Sequence, residues 1–494
     1  MTRHFLFASV AALALSGTQT AASAAELSAG NQAKLIANVE AYAPRMSEVA
    51  LQIWSMPELG YQETKTTALL QSELKKAGFT IETGVAGIPT AFVARAGTAD
   101  GPVIAILAEM DSLPGLSNAA VPERKPVPGQ DSGHACGHNL FGSGAVAAAI
   151  GVKKWMEETG VHGQLRVYGT PAEEGGGGKS YMVSAGLFKD VDATVYWHPA
   201  DANNASQDKN LANISAKFRF HGTAAHAAAA PERGRSALDA VEVMNVMVNY
   251  MREHVPSDVR IHYIVTNGGA APNIVPEFAE SYYVVRDPDP RVVADVFERV
   301  KKAAEGAALG TGTKMDFELI GGDYSILPND VLGRIMDANL RRVGAPQWNA
   351  EEKSFAEKLQ KTLGPDVPPI ASAQAIRAYR VSGQKYASTD SGDVSWVTPL
   401  ATLNTATWVP GTPAHSWQAT AAGGMGIGIK GAVVAAKTLA LTVAQLYQSP
   451  DAIAAAKAEF NKSRGANFVY KPLVGIRKPP LDYRKSGSAV ADAG

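Results

Sequence analysis

Two short segments of the sequence carry residues that could perform hydrolysis. Glu173 and Glu174 are adjacent in a Pro-Ala-Glu-Glu-Gly segment, and Cys136, the only cysteine, lies two residues from both His134 and His138. Repulsion between adjacent carboxylates raises the pKa of one of them unless a cation binds the other. A metal ion could bind one carboxylate and leave its neighbour free as a general base, with thiolate and imidazole as further ligands. The pattern predicts a two-metal hydrolase with a sulfur ligand.

Each segment also has a simpler interpretation. A Glu-Glu pair in a loop is commonly a solvated acidic pair, and a cysteine without an internal partner is commonly a buried, inert thiol. Gly178-Lys179-Ser180 is similar to the end of a phosphate-binding loop, but Glu173 stands where the first glycine is required. The sequence contains neither a Gly-x-Ser-x-Gly nor a His-Glu-x-x-His motif.

The positions of the polar residues favour the metal hypothesis. Apolar runs predict buried strands at 103–109, 165–169, 193–197 and 401–407. Each run is followed by a candidate residue, namely Asp111, the Glu173-Glu174 pair, His198 and His415. In parallel α/β sheets, ligands bind beyond the carboxyl ends of the strands. We therefore expect these residues on one edge, with Cys136 and His138 reaching it from the loop before a helix at 142–158.

The order of elements predicts an α/β fold with an insertion. Strands alternate with helices up to about residue 208, which predicts a mainly parallel sheet flanked by helices. From 209 to 322 the order is β-α-β-β-α-β, the ferredoxin-like unit. The predicted domains are therefore a first catalytic part at 25–208, an inserted α+β unit at 209–322, a second catalytic part at 323–465 and an irregular tail at 466–494.

The charge composition argues against some classes of binding partner. The 494 residues carry 46 Lys and Arg against 47 Asp and Glu, without long runs of either sign, which argues against nucleic acid and an anionic membrane surface. Arg3 and His4, the apolar stretch at 5–15 and the small residues at 22–24 are typical of a signal peptide cleaved near Ala24. We expect an exported, periplasmic protein; an uncleaved anchor is the alternative.

At these residues the chain resembles the dinuclear metallopeptidase family of aminoacylases, glutamate carboxypeptidases, hippurate hydrolases and auxin-conjugate hydrolases. The resemblance covers nearly all of the chain after the signal peptide. Within the family, the chain is most similar to the branch that contains the B subunit of p-aminobenzoyl-glutamate hydrolase. The resemblance depends on the segments 108–114, 133–139, 171–175 and 197–199, on His226 in its Ala-rich loop, and on the segments 273–276 and 411–415.

The resemblance implies a role for each candidate residue. Two divalent ions, Zn²⁺ or Mn²⁺, would be held by Cys136, His138, Glu174, His198 and His415. Glu173 would be the general base, Asp111 would orient a ligand, and His226 would reach the site of a partner subunit and stabilise the oxyanion. Asn273 and Arg286 would hold a substrate carboxylate. The inserted unit would form a homodimer, or a hetero-oligomer with a related chain.

Two positions depart from many relatives, since Glu109 stands where histidine is frequent and Asn139 where aspartate is frequent. The expected activity is hydrolysis of the amide bond of an N-acyl or N-aroyl amino acid, such as p-aminobenzoyl-glutamate, or of a small dipeptide. Two alternatives remain open at this point: an exported solute-binding protein without catalysis, and a hydrolase with Cys136 as nucleophile.

Overall fold

The computed structural model describes residues 26–485, so the predicted signal peptide lies outside the described residues. The described helices are α1 (Ala29–Ser55), α2 (Thr64–Lys76), α3 (His138–Thr159), α4 (Gly178–Ser184), α5 (Ala237–Met251), α6 (Pro290–Thr311), α7 (Asp330–Val343), α8 (Ala350–Gln360), α9 (Ser391–Ser395), α10 (Trp417–Gly423), α11 (Gly426–Tyr447) and α12 (Pro450–Arg464). The described strands are β1 (Thr80–Thr83), β2 (Phe92–Gly97), β3 (Val103–Glu109), β4 (Leu113–Pro114), β5 (Ser132–Gly133), β6 (Gln164–Thr170), β7 (Ala193–Ala200), β8 (Gln207–Lys209), β9 (Ala212–His221), β10 (Arg260–Asn267), β11 (Phe278–Asp287), β12 (Lys314–Asp323), β13 (Val381–Gln384) and β14 (Leu400–Ala406).

The larger sheet has six strands in the order β1-β2-β6-β3-β7-β14. The pairs β3/β6, β3/β7 and β7/β14 are parallel, whereas β1/β2 and β2/β6 are antiparallel. Continuous apolar runs such as Val103–Glu109, with almost every residue buried, are typical of strands covered on both faces. The prediction of a mainly parallel α/β sheet with flanking helices is confirmed. The antiparallel pairing of β1 and β2 at one end of the sheet was not predicted.

Helices α1, α3 and α11 pack together and cover this sheet, with α3 against β3 and α11 against β14. Within the described residues, α11 is long and apolar enough to cross a bilayer by length and composition, but 78% of its most apolar window is buried inside the protein. It carries Lys430 and Lys437. Its burial is typical of a core helix.

The smaller sheet has four antiparallel strands in the order β10-β11-β9-β12. Helices α5 and α6 pack against it around a separate core that includes Phe218, Tyr283 and Val300. The chain order β9-α5-β10-β11-α6-β12 is the predicted β-α-β-β-α-β order. The domain boundaries and the role of this unit in dimerisation stay predictions.

The segment after α12, residues 465–485, contains no helix or strand, and we call it the C-terminal strap. It runs across both units rather than away from them. Leu473 packs against the core of the smaller unit, whereas Val474 and Tyr483 are buried in the core of the larger one. The predicted irregular tail therefore begins as a packed segment, and residues 486–494 lie outside the described part.

Candidate metal centre

The parallel strands bring the predicted residues to one edge of the larger sheet. Asp111 follows β3, the Glu173-Glu174 pair follows β6, His198 lies near the end of β7, and His415 follows β14. Because β3, β6, β7 and β14 run in the same direction, their carboxyl ends meet at this edge. The sheet topology therefore explains how residues far apart in the sequence come together.

A tight loop at the start of α3 adds Cys136 and His138. Gly137 caps this helix with a left-handed backbone (φ +78°), which glycine adopts at no steric cost. A Cβ at this position would lie 2.7 Å from Cβ of Pro199. Glycine thus permits the loop to approach the end of β7, where His198 lies.

Three overlapping groups of side chains could each hold a cation. Their ligand atoms lie within 4.8 Å of one another in the groups Cys136/His138/His198, Cys136/Glu174/His415 and Glu109/His138/Glu173. Cys136 Sγ is 3.5 Å from Nε2 of His198, and Nε2 of His415 is 3.2 Å from Oε1 of Glu174. The five predicted ligands are therefore adjacent, and the groups include two residues without a predicted ligand role, Glu109 and Glu173.

Hydrogen bonds fix which ring nitrogens face the centre. Nδ1 of His138 donates to the carbonyl oxygen of Asp111 at 3.0 Å and lies 3.1 Å from its Oδ1. Nδ1 of His198 donates to the carbonyl oxygen of Pro199 at 2.7 Å. Since a carbonyl oxygen only accepts, both Nδ1 atoms carry a proton, and the Nε2 atoms are the ones left to face the site. Oδ2 of Asp111 also accepts from the backbone N–H of Glu174 at 2.9 Å.

Two backbone positions at the site are strained. Ala172, directly before Glu173, and His415 have left-handed φ angles of +57° and +58°, which non-glycine residues seldom adopt. Glu63 Oε1 accepts from the N–H of Ala172 at 2.8 Å, and the N–H of His415 donates to the carbonyl oxygen of Ala135 at 3.1 Å. External hydrogen bonds thus stabilise both strained residues.

Burial and like charges shift the pKa values of this cluster strongly. Burial raises the pKa of Cys136, and the Glu174 carboxylate raises it further. Burial also raises the pKa of Glu173 well above its ordinary value, with Glu109 and then Glu174 adding to the effect. Burial, followed by the proximity of His138, lowers the pKa of His198 to about 3. Perturbations of this kind are concentrated at functional sites.

The residues present fit divalent metal ions. Glu109 Oε2 and His138 Nε2 are buried and 3.2 Å apart, yet neither makes a hydrogen bond within the described residues, and the same holds for Glu174 Oε1. Buried polar atoms without partners are costly, and the neighbouring carboxylates of Glu109, Glu173 and Glu174 repel one another. A cation between them removes both costs and favours the thiolate of Cys136, which burial alone would keep protonated.

Sequence reasoning missed several residues that support the centre. Lys179 is fully buried, with Nζ 2.7 Å from Oε1 of Glu109 and 2.5 Å from Oδ1 of Asp390. In the sequence, Lys179 stood out only within Gly178-Lys179-Ser180, the segment similar to a phosphate-binding loop that lacks the required first glycine. No motif linked Lys179 to Asp390. Glu63 carries no motif either; burial, followed by the Asp111 charge, raises its pKa to about 8.

A cavity of about 450 Å³ opens beside the cluster. Its lining includes Cys136, Glu173, Glu174, His198, Arg286 and His415. Arg286 is therefore close to the predicted ligands, as is Lys385, which sequence analysis did not select. Within the described residues, His226 and Asn273 do not line this cavity. They lie in adjoining exposed loops of the smaller unit, where the N–H of Ala227 donates to the carbonyl oxygen of Asn273.

Comparison with known proteins identifies the family. The model of peptidase family M20/M25/M40 matches residues 105–391, more than half of the chain. The chain belongs to this family. The matched region of the M20 family contains all the predicted ligands except His415.

Three M20 relatives illustrate the similarity. The chain is 41% identical over 443 residues to the B subunit of Escherichia coli p-aminobenzoyl-glutamate hydrolase, covering 83% of this chain and 90% of that protein. It is 33% identical over 319 residues to mouse Xaa-Arg dipeptidase, covering 62% of this chain and 70% of that one. A dinuclear metal-binding M20 peptidase of Bacillus subtilis has the same fold, with TM-score 0.53 and 19% identity over 82% of this chain and 99% of its own.

Membership of the M20 family makes the chain a metal-dependent hydrolase of amide bonds. The predicted enzyme class is confirmed, and the alternatives of a solute-binding protein and a cysteine-nucleophile hydrolase are not favoured. The individual roles of the site residues stay predictions.

Proposed function

We propose that this M20 hydrolase cleaves N-acyl or N-aroyl amino acids of the p-aminobenzoyl-glutamate type, using two Zn²⁺ or Mn²⁺ ions. The observation that carries the proposal is the convergence of five ligand side chains beside the spare carboxylate of Glu173. The 41% identity to the B subunit of p-aminobenzoyl-glutamate hydrolase supports this substrate class over a dipeptide, for which mouse Xaa-Arg dipeptidase is the precedent.

The proposed reaction assigns one task to each side chain. Cys136, His138, Glu174, His198 and His415 would hold the two metal ions. When bound, these ions lower the pKa of a water molecule and polarise the scissile carbonyl. Glu173 accepts a proton from the water and transfers it to the leaving amine. Asp111 keeps Nδ1 of His138 protonated and holds the backbone of Glu174.

Arg286 is proposed to bind the carboxylate of the amino-acid part of the substrate. It lines the same cavity as Glu173, half-buried at the end of β11. Its guanidinium can form two parallel hydrogen bonds with a carboxylate. Asn273 is proposed to add a neutral hydrogen bond from an exposed loop of the smaller unit.

Metal dependence and the substrate panel test this function together. We expect the purified full-length protein to hydrolyse p-aminobenzoyl-glutamate, to lose activity on complete chelation, and to regain it with Zn²⁺ or Mn²⁺. The analogue with an amide in place of the α-carboxylate should have a KM higher by at least about tenfold, because a charge-assisted hydrogen bond is lost. Activity that persists in metal-free protein contradicts the metal mechanism, and equal KM values contradict the role of Arg286.

The smaller unit is proposed to join two copies of the chain. Val243, Val246, Met247 and Tyr250 form an exposed apolar face on α5, and β10 is an edge strand of the described sheet. His226 and Asn273 lie on the same unit, outside the cavity of their own chain, which supports their action in the site of the partner copy. Because the Escherichia coli relative is named as one of two kinds of subunit, a related chain is the alternative partner.

Hybrid dimers test this shared site. In a twofold-symmetric homodimer, an equal mixture of Glu173→Gln and His226→Ala chains forms half hybrids, each with one complete site, so activity should reach about 25% of the parent. Each variant alone should be nearly inactive. Verified hybrids that are no more active than the separate variants would contradict the shared site.

A further inference from the structure

The loop that carries Glu173 and Glu174 is rich in glycine and requires external support. Gly175 and Gly177 have φ angles of +85° and +65°, and four glycines occupy 175–178. Glycine loses more conformational entropy on ordering than any other residue. A carboxylate that must face a metal centre or a water molecule within a few tenths of an ångström therefore depends on contacts from outside the loop.

Side chains of distant segments hold the backbone of this loop. Asp111 and Glu63 accept from its N–H groups, as described above, and Tyr61 Oη donates to the carbonyl oxygen of Gly176 at 2.7 Å. The carbonyl oxygen of Glu174 accepts twice, from Oη of Tyr483 at 2.8 Å and from Nη2 of Arg484 at 2.9 Å. Both donors belong to the C-terminal strap, outside the segment matched by the family model.

The strap is anchored on β12 and α4 before it reaches Glu174. Arg477 donates to the carbonyl oxygens of Leu319 and Ile320 in β12, and to Oη of Tyr181 in α4 at 3.1 Å. Tyr483 then packs edge-on against Tyr61, with ring centroids 5.6 Å apart. These contacts join the smaller unit, the helix after the loop and the loop itself.

A second observation is the close packing of Gly60 against the Tyr483 hydroxyl and against Ala172, the residue before Glu173. A Cβ at Gly60 would lie 2.1 Å from Oη of Tyr483, so any other residue at position 60 would displace this group. The phenol is 5% exposed, and its oxygen reaches the Glu174 carbonyl through this space.

We propose that Tyr483 and Arg484 are positioning residues that hold the Glu174–Gly175 peptide group, and through it the carboxylates of Glu173 and Glu174, in the geometry of hydrolysis. This inference rests on the proposed function. The carbonyl oxygen of Glu174 receives one neutral and one charged donor, which fixes the plane of its peptide group. Metal retention and turnover then depend on the strap, although the hydrogen bonds described reach the main-chain carbonyl of Glu174 and not its carboxylate.

Tyr483→Phe tests the proposal, because it removes the hydroxyl and retains the ring. The matched control is Tyr470→Phe in the same strap, whose hydroxyl donates to Oδ1 of Asp393 at 2.6 Å and not to the backbone of the loop. Tyr483→Phe in the metal-loaded full chain should lower kcat about tenfold with KM within about twofold, and should accelerate metal loss to a chelator about fivefold. Arg484→Met should act in the same direction, and Tyr470→Phe should stay within about twofold of the parent on both measures.

Three outcomes would overturn the proposal. These are kcat and metal-loss rates within twofold of the parent for both Tyr483→Phe and Arg484→Met, equal effects of Tyr483→Phe and Tyr470→Phe, or a change in KM alone. The Arg484→Met variant keeps the test valid if Tyr483→Phe folds poorly. If the parent hydrolyses no acyl amino acid, the proposed function fails, whereas the rate of metal loss still decides the role of the strap.

Discussion

Glu173→Gln is expected to lower kcat by about a thousandfold, the range of a lost general base, while the metal content of each chain stays at the level of the parent. Glutamine has the same shape but cannot take a proton from water. Burial and the carboxylates of Glu109 and Glu174 raise the pKa of Glu173, and a cation beside it would offset these charges and lower that pKa. The variant therefore removes a base whose strength depends on the centre beside it.

The measurement pairs steady-state kinetics with metal analysis, and Glu174→Gln is the matched control. Glu174 Oε1 lies 3.2 Å from Nε2 of His415, so its variant should lose metal as well as activity. Activity of Glu173→Gln within tenfold of the parent would rule out the base. A loss of metal from Glu173→Gln would instead move this residue into the ligand set, since its carboxylate lies within 4.8 Å of ligand atoms of Glu109 and His138.

The sequence was sufficient to predict an element when nearly all of its residues are buried. The strand at 103–109 was predicted with the bounds that the structure has, because an apolar run covered on both faces leaves a clear pattern. β1 was missed because three of its four residues are polar and exposed. The antiparallel direction of β2 was also missed, since a pattern of burial carries no information on strand direction.

The ligand cluster was predictable because parallel strands share one edge, which converts positions in the sequence into proximity in space. Glu174 and His415 were expected together on this ground, and their side chains are 3.2 Å apart. The supporting residues were not predictable. Glu174 and Tyr483 are 309 positions apart, and no rule of periodicity places an irregular terminal segment against a catalytic loop.

Lys179 is another residue whose position the sequence does not predict, in this case because it is charged. Lysines are rarely buried without a partner, so the sequence favours a solvated position for Lys179. The structure buries it completely between Glu109 and Asp390, 211 positions from the latter, and its backbone N–H also donates to Oδ2 of Asp390 at 2.8 Å. The family match likewise gives no role to this pair of contacts.

Lys179→Met should consequently lower the free energy of unfolding by about 3–5 kcal/mol, the usual cost of removing one partner of a buried ion pair. Methionine retains most of the apolar stem, so the change isolates the charge. Two buried carboxylates, Glu109 and Asp390, would remain without their cation. Burial already raises the pKa of both, and Lys179 is the main group that lowers them.

The loss of unfolding free energy in Lys179→Met, relative to the parent, should also depend on pH. Without Lys179, the folded-state pKa values of Glu109 and Asp390 rise further above their unfolded values, so folding favours the protonated carboxyls. Stability from such groups is present below the unfolded pKa and is lost as pH rises through the folded pKa. The difference in unfolding free energy between variant and parent should therefore be larger at pH 8 than at pH 5.

Guanidinium unfolding at both pH values measures this difference, with Lys154→Met as the control. Lys154 is 56% exposed and 3.9 Å from Glu158, so its loss should cost no more than about 1 kcal/mol at either pH. A Lys179→Met deficit equal to that of the control, or unchanged between pH 5 and pH 8, would mean that the two carboxylates are compensated by another group. The expected result instead makes Lys179 the fixed cation that offsets the buried carboxylates of Glu109 and Asp390.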